Sequence, residues 1–333
     1  MNERFSNACR SGTAHVALAI GSAAMSPAGA AEPAHETPAS MVSALHAAFG
    51  EHHARAVHAK GIILDGTFTP APEARTIARA ALFSEGPIPI TVRFSDFTGL
   101  PDIPDNIPDA NPRGLAVKFR MVAGRETDIV THSFNGFPVA NADEFAMFLR
   151  AIGASGPGAA RPTLIESFLA SHPIAKTFVT TQKPPPVSYA TAAYFGVNSF
   201  AMLDASGKKR FVRFRFVPTD GEQYLDAPTL ASKGPNYLRE EIAARVAKAP
   251  AKFEWFAQIA DSGDAIENPS IAWPESRTLI HLGTLRIEAV ETNPNADKEL
   301  LFLPARLCEG IETADPMLTI RQGAYPISFG ERQ

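Results

Sequence analysis

Apolar residues recur along this 333-residue chain with two different periods. Spacings of three and four mark helices, because side chains that far apart share one face. Strict alternation marks strands, whose successive side chains point to opposite faces. Helical spacing covers Met41–Glu51, Glu73–Phe83, Asp143–Ile152, Thr163–Val179 and Asn236–Ala249. Extended patterns cover Gly61–Pro70 (a strand with a turn), Ile90–Ser95, Gly114–Met121, Asp128–Phe134, Ser199–Asp204, Lys209–Pro218 and Arg277–Val290, the last a strand or a hairpin. In Lys209–Pro218, Val212, Phe214 and Phe216 fall on one face and Arg213 and Arg215 on the other, which predicts a half-buried strand. The strands are too irregularly spaced for a βαβ array. The expected class is therefore α+β with a largely antiparallel sheet. With no internal repeat and no long linker after residue 40, one domain is expected over residues 39–333.

The N-terminal residues follow another pattern. Arg4 and Arg10 precede an apolar run at Ala14–Met25 and the small-residue stretch "AGA" at Ala28–Ala30. That order reads as a signal peptide over residues 1–30, and the apolar run is too short and weak to span a membrane stably. Residues 31–38 then read as a flexible lead-in, and the chain as exported, with the periplasm the expected destination. Only Cys9 and Cys308 occur, so removal of the signal leaves Cys308 without a disulfide partner. Hydrophobic residues make up 45% and charged residues 20%, at a net charge of -4. This balance suits a globular core and points to no nucleic-acid or anionic-membrane partner. Phe, with 22 copies against 5 Tyr and 2 Trp, is available for a deep apolar pocket, although most such rings belong in a plain core.

Three stretches carry candidate chemistry. "EHHARAVHAKG" at Glu51–Gly61 holds His52, His53 and His58, three of the nine histidines. A Zn or Cu site is one reading, but adjacent histidines diverge in any regular structure and no carboxylate or cysteine pattern completes a ligand set. On a helical or tightly turning segment Arg55 and His58 share a face. In "VRFS", Arg93 and Ser95 point to one side of a strand, and Val92 and Phe94 to the other. In "RQGAYP", Arg321 and Tyr325 lie four apart on one helical face, with Pro326 following. Taken singly, each has an ordinary reading as a surface histidine, a solvent-facing arginine or a stacked surface pair.

Together, and in order, "RAVHAKG…GTF", "VRFS", "NPRGLAVKFR" and "RQGAYP" resemble the signature segments of haem catalases. Length and the further stretches "FPVANADEFAMFLRA", "PVSYATAAYFGVNSFAMLDASG", "NPSIAWPESR" and "GIETADPMLTIRQGAYPIS" resemble the small catalase-related peroxidases more closely. The resemblance runs from Ala39 to Arg332. It implies an antiparallel β-barrel with surrounding helices, haem b as cofactor, and hydrogen peroxide with a small-molecule electron donor as substrates. It also implies the roles of individual residues. His58 matches the distal histidine that moves the peroxide proton, and Ser95 the hydroxyl that holds it. Tyr325 matches the axial iron ligand, and Arg321 brings a positive charge one turn before it. Arg55 and Arg93 match the arginines that pair with haem propionates, where guanidinium suits a carboxylate. Phe145 falls where the family places an aromatic near the distal side or haem edge.

Departures from the large catalases carry further expectations. Their distal Asn has its nearest counterpart in Asn135, one residue farther from Pro138 than the pattern requires, so its reach into the pocket is left open. Weak dismutation and more prominent oxidation of organic donors are expected, in a monomer or homodimer without bound NADPH. Two other readings share the haem. Allene oxide synthases, which rearrange fatty-acid hydroperoxides, carry a Thr just before the distal His where this chain has Val57. A non-catalytic haem carrier of the envelope would dispense with His58.

Overall fold

The computed structural model describes residues 35–333. The expected signal peptide, Cys9 and the first residues of the lead-in lie outside the described residues. From His35 onward the lead-in is pinned, against the expectation of flexibility. Glu36 accepts two bonds from the Arg150 guanidinium, at 2.6 and 3.0 Å, and its N–H donates to Asp143 at 2.7 Å. Thr37 then caps helix α1 (Pro38–Phe49) in a reciprocal box with Ser40. Proline at the first helical position adds a preset φ, so the helix starts three residues before Met41.

Nine strands follow: β1 (Gly61–Pro70), β2 (Ile88–Ser95), β3 (Gly114–Arg120), β4 (Glu126–His132), β5 (Tyr194–Leu203), β6 (Lys209–Pro218), β7 (Ala251–Ile259), β8 (Leu279–Val290) and β9 (Ile311–Thr313). Eight of them close in the order β4-β3-β2-β1-β8-β7-β6-β5, every pair antiparallel, with His132 opposite Phe195 completing the ring. β9 pairs with β5 outside it. Closure removes the exposed sheet edges that would otherwise template aggregation. The antiparallel sheet expected from periodicity is thus an eight-stranded barrel. Its interior explains much of the phenylalanine. Trp255 lies at the centre, with the rings of Phe68, Phe119, Phe214 and Phe216 at 5.1–5.6 Å between centroids.

Several local expectations are corrected. Glu73–Phe83 forms two 3-10 turns, Pro72–Thr76 and Ala81–Phe83, because the Arg79 N–H pairs with the Leu203 carbonyl of β5 rather than with its own helix. Thr163–Val179 splits into α3 (Leu164–Ser171) and α4 (Pro173–Thr180), since Pro173 cannot donate to a continuing helix. β1 has no turn; a bulge at Asp65/Gly66 absorbs the irregularity, where a Cβ on Gly66 would lie 2.0 Å from the Arg286 carbonyl oxygen. Arg277–Val290 supplies a single strand. Arg213 and Arg215 are buried, not solvated. Arg213 donates to the carbonyls of Ala265, Asn268 and Ile271, and Arg215 pairs with Glu275, so the 265–275 segment covers the second face of β6.

Beside α1, the remaining helices are α2 (Ala142–Gly153), α5 (Ala227–Ala231), α6 (Tyr237–Val246), α7 (Ala296–Glu299) and α8 (Met317–Glu331). Met41, Val42 and Leu45 of α1 pack with Ala146 and Leu149 of α2 and Ala324 of α8. This apolar triangle holds α8 near the wall built by β2, β3, β4 and β5. A cavity remains between them, and it is the setting of the candidate chemistry.

Candidate active site

His58 lies on an irregular segment just before β1, in the left-handed region at φ +55°. A non-glycine residue there stores strain that its surroundings must hold. They do so through the backbone. The His58 N–H donates to Phe97 (3.0 Å), the Ala59 N–H to Thr98 (2.9 Å), and Arg93 donates to the carbonyls of His58 (2.9 Å) and Ala59 (3.0 Å). The ring then meets Ser95 Oγ through Nδ1 at 3.0 Å. Strand alternation places Ser95 and Arg93 on the cavity side of β2 and sends Val92 and Phe94 into the barrel core, as expected. Gly114 of β3, paired with Ser95, makes the room. A Cβ on it would lie 2.3 Å from Ser95 Oγ and 2.8 Å from His58 Nδ1. Burial, then the neighbouring His132, Arg93 and Arg321, pushes the His58 imidazole down to about 3. It is neutral at physiological pH, with Nδ1 engaged and Nε2 the nitrogen left to accept a proton.

Tyr325 and Arg321 share a face of α8, which continues through Pro326 to Glu331. Arg321 Nη2 donates to the Tyr325 oxygen at 2.8 Å. Arg321 Nη1 donates to Asn198 Oδ1 at 2.5 Å, and Asn198 Nδ2 to Asp315 at 2.7 Å. Asp315 in turn accepts the N–H of Met317, the first residue of α8. The relay therefore ties a guanidinium, and through it the phenol, to the start of the same helix. Neither Asn198 nor Asp315 was anticipated. The readable signal was a buried-pattern strand, "YFGVNSFAML", interrupted by one amide.

Arg55 and Arg93 converge on Asp297 of α7. Arg93 Nε lies 2.5 Å, and Arg55 Nη2 3.2 Å, from its Oδ1. Burial raises the Asp297 carboxyl, but the two guanidinium groups outweigh it and hold it well below the usual carboxylate range. Burial and the neighbouring Arg93 push Arg55 down to about 9. Arg332 joins them at the cavity edge, donating to the Leu300 carbonyl at 2.8 Å.

Phe145 lines the cavity and packs against Phe137 at 4.8 Å; Phe97 and Phe178 complete an aromatic wall, with Val57 beside His58. Asn135 does not reach it. Its amide donates to Glu275 at 3.0 Å instead. The residue in register with Gly114 on β4 is His132, three positions earlier, and its side chain lines the cavity. Sequence reasoning missed it. The three clustered histidines do not converge: His52 bonds the Phe49 carbonyl at 2.8 Å, and His53 borders a separate cleft with Lys298 and Glu331.

One cavity therefore joins a neutral imidazole poised as a base, a phenol oxygen under a guanidinium, an aromatic wall and a cationic edge. Residues 47–332 match the family model described as Catalase. A protein of Synechococcus elongatus named Catalase-related peroxidase is 34% identical over 302 residues, covering 89% of this chain and 88% of the relative. A protein of the same name from Mycolicibacterium paratuberculosis is 33% identical over 302 residues, covering 88% and 93%. Among solved structures, a fungal catalase superposes with a TM-score of 0.75 at 20% identity, over 84% of this chain and 59% of that one. Catalase A from Saccharomyces cerevisiae gives 0.74 at 19%, over 84% and 61%. At those identities the structures speak to the fold, which is shared.

Proposed function

The chain belongs to the catalase family, a family of peroxide oxidoreductases, and we propose that it is an exported haem b peroxidase. In this proposal it reduces hydrogen peroxide or small organic peroxides with electrons from small organic donors, dismutates peroxide only weakly, and works in the periplasm as a monomer or homodimer.

The residues present fit haem by their chemistry. A flat apolar ring with two carboxylates and an iron needs apolar walls, cations at one edge and an oxygen donor on one face. The aromatic wall, the Arg55, Arg93 and Arg332 edge, and the Tyr325 oxygen meet those three demands in one cavity. Tyr325 would hold the iron, with Arg321 fixing its oxygen. Arg55 and Arg93 would meet the propionates, exchanging or sharing their bonds to Asp297. Phe145 would pack against the ring edge. Haem, when bound, supplies the iron at which the peroxide O–O bond is reductively cleaved.

The observation that carries the reading is the His58–Ser95 pair facing the same cavity as the Tyr325–Arg321–Asn198–Asp315 relay. His58 Nε2 accepts the proton of the incoming peroxide and returns it to the departing oxygen, which leaves as water or alcohol. Ser95 keeps the ring in one plane through Nδ1. Its low proton affinity keeps His58 in the accepting form across physiological pH. The aromatic wall favours organic peroxides and organic donors, and Asn135 offers no amide for a second peroxide. Val57 presents no hydroxyl beside His58, which disfavours rearrangement of fatty-acid hydroperoxides. The signal-like residues 1–30 support export.

The test is reconstitution with haem. The expected result is a Soret band with phenolate-ligand features that Tyr325→Phe abolishes. Oxidation of a chromogenic donor by peroxide should exceed oxygen evolution and fall sharply in His58→Ala. A protein that takes up no haem would end the proposal. Undiminished turnover in His58→Ala would remove the role of His58.

A further inference from the structure

His132 is a titratable group of the cavity to which the mechanism above gives no work. It ends β4, where the cross-strand row runs Ser95, Gly114, His132 over three adjacent strands. All three share the cavity face. His58 rests against the first two, so His132 flanks the same gap from the other side. Burial, followed by Arg321, pushes its imidazole down to about 3. It is a neutral ring at working pH.

The proton of that ring can be located. Nδ1 lies 3.3 Å from the N–H of Phe134, and a backbone N–H can only donate. Nδ1 is therefore the acceptor, and the proton sits on Nε2. Nε2 is shielded from water and has no hydrogen-bond partner among the described residues. An N–H left unmet in such a place is costly, and such orphans mark strain or function. The χ2 torsion of histidine is broad and two-fold, so the ring can turn Nε2 onto an occupant of the cavity.

Resting on the peroxidase reading, we propose that His132 is a second catalytic residue, the donor partner of His58. His58 offers a lone pair on Nε2 and His132 a proton on Nε2, from opposite sides of the gap above Gly114. As the O–O bond breaks, its electron pair gathers on the leaving oxygen. His132 Nε2–H hydrogen-bonds that oxygen while His58 delivers the proton that completes it as water or alcohol. His132 keeps its own proton throughout, so it works as a fixed dipole rather than as an acid. A single donor aimed at developing negative charge is worth ~10²–10³-fold in rate.

Three measurements test this; two do not depend on turnover, and one of those needs no haem. In the haem-free protein, long-range ¹H–¹⁵N correlations should place the His132 proton on Nε2; a proton on Nδ1 overturns the proposal. In the haem-loaded protein, His132→Phe should lower kcat/KM for peroxide by ~10²-fold or more, the size of one lost donor. His132→Gln, which keeps an N–H but cannot titrate, should recover most of that loss. Fluoride accepts a hydrogen bond when it binds, so its affinity should weaken in His132→Phe and recover in His132→Gln. Wild-type kcat/KM together with wild-type fluoride affinity in His132→Phe overturns the proposal and leaves the peroxidase reading standing. A wild-type protein that takes up no haem overturns both.

Discussion

Gly114→Ala is the smallest change that addresses the seat of His58. The added methyl would stand 2.3 Å from Ser95 Oγ, 2.8 Å from His58 Nδ1 and 3.0 Å from His58 Cε1. Comfortable contact between carbon atoms begins near ~3.5 Å, so the hydroxyl must retreat by roughly 1 Å. The backbone cannot open to allow this, because Gly114 is paired with both Ser95 and His132 in the closed barrel. The side chains must give, and each does so at a cost to the other. Rotating Oγ away breaks the 3.0 Å bond to His58, whose backbone is meanwhile held by Phe97 and Arg93. Overpacking of this kind costs about 1–3 kcal/mol, which in a domain of this size is several degrees of Tm at most. Displacing a catalytic group by about 1 Å costs on the order of 10²-fold in rate. Thermal unfolding and peroxide-dependent oxidation of a chromogenic donor measure the two effects on one sample, with the Soret band confirming haem. Adding Ser95→Ala to Gly114→Ala removes the shortest contact. Stability should then recover by ~1 kcal/mol, a fraction of the overpacking cost, while turnover stays low because the Oγ–Nδ1 bond is gone. A Gly114→Ala protein with wild-type Tm and wild-type kcat/KM would refute the reasoning.

Three further outcomes follow from the same geometry. His58 and His132 fold with values near 3, below the ~6.5 of an unfolded histidine, so acidification favours the unfolded chain between those limits. Each then contributes a loss of up to ~1.4 kcal/mol per pH unit, so urea unfolding at pH 4.5–6 should show a shallower acid limb in His58→Gln; an unchanged slope counts against the buried neutral ring. Asp297→Asn leaves Arg55 and Arg93 without their carboxylate and should cost about 1–3 kcal/mol at pH 7, less than a fully buried pair, because Asp297 is 44% exposed. Since its carboxyl is depressed in the fold, that contribution is present above the ordinary aspartate value and fades below it, so the gap between wild type and variant should narrow steadily from pH 4 to pH 2; a constant gap would be wrong for this ion pair. Asn198→Leu strips Arg321 Nη1 of its acceptor and should weaken haem retention, measured by transfer to a haem-scavenging protein, by ~10–100-fold, as expected for a lost outer-shell partner.

What could be read from the chain divides by how far apart the interacting residues lie. Arg93 and Ser95 were legible as one face because a strand alternates, and Arg321 and Tyr325 as one face because a helix repeats; both pairs line the cavity. β7 was missed although Ala251, Phe253, Trp255 and Ala257 alternate plainly, so that omission had a local remedy. The arginines of β6 had none. Alternation correctly set them opposite the phenylalanines, but the 265–275 segment that buries them is about fifty residues on. The aim of Asn135, left open in the sequence, was unreadable for a related reason. Distance along the chain from Pro138 does not aim a side chain that follows the end of a strand, and the Glu275 carboxylate captured it.

His132 shows the limit in its sharpest form. Its parity on β4 matches Val130, which also lines the cavity, so a face was readable. Which face mattered depended on Ser95 pairing with Gly114 and Gly114 with His132, two registers set by the whole barrel. The same holds for Asp297, 204 residues from Arg93 and 242 from Arg55. Tyr325 was legible because its guanidinium partner lies four residues away on one helix, whereas the Ser95 partner of His58 is 37 residues on and in a separate motif. Residues that hold or complement them arrive through strand pairing and long loops. A motif therefore locates the proposed base and ligand, and only the closed barrel brings the orphaned His132 nitrogen to the same cavity.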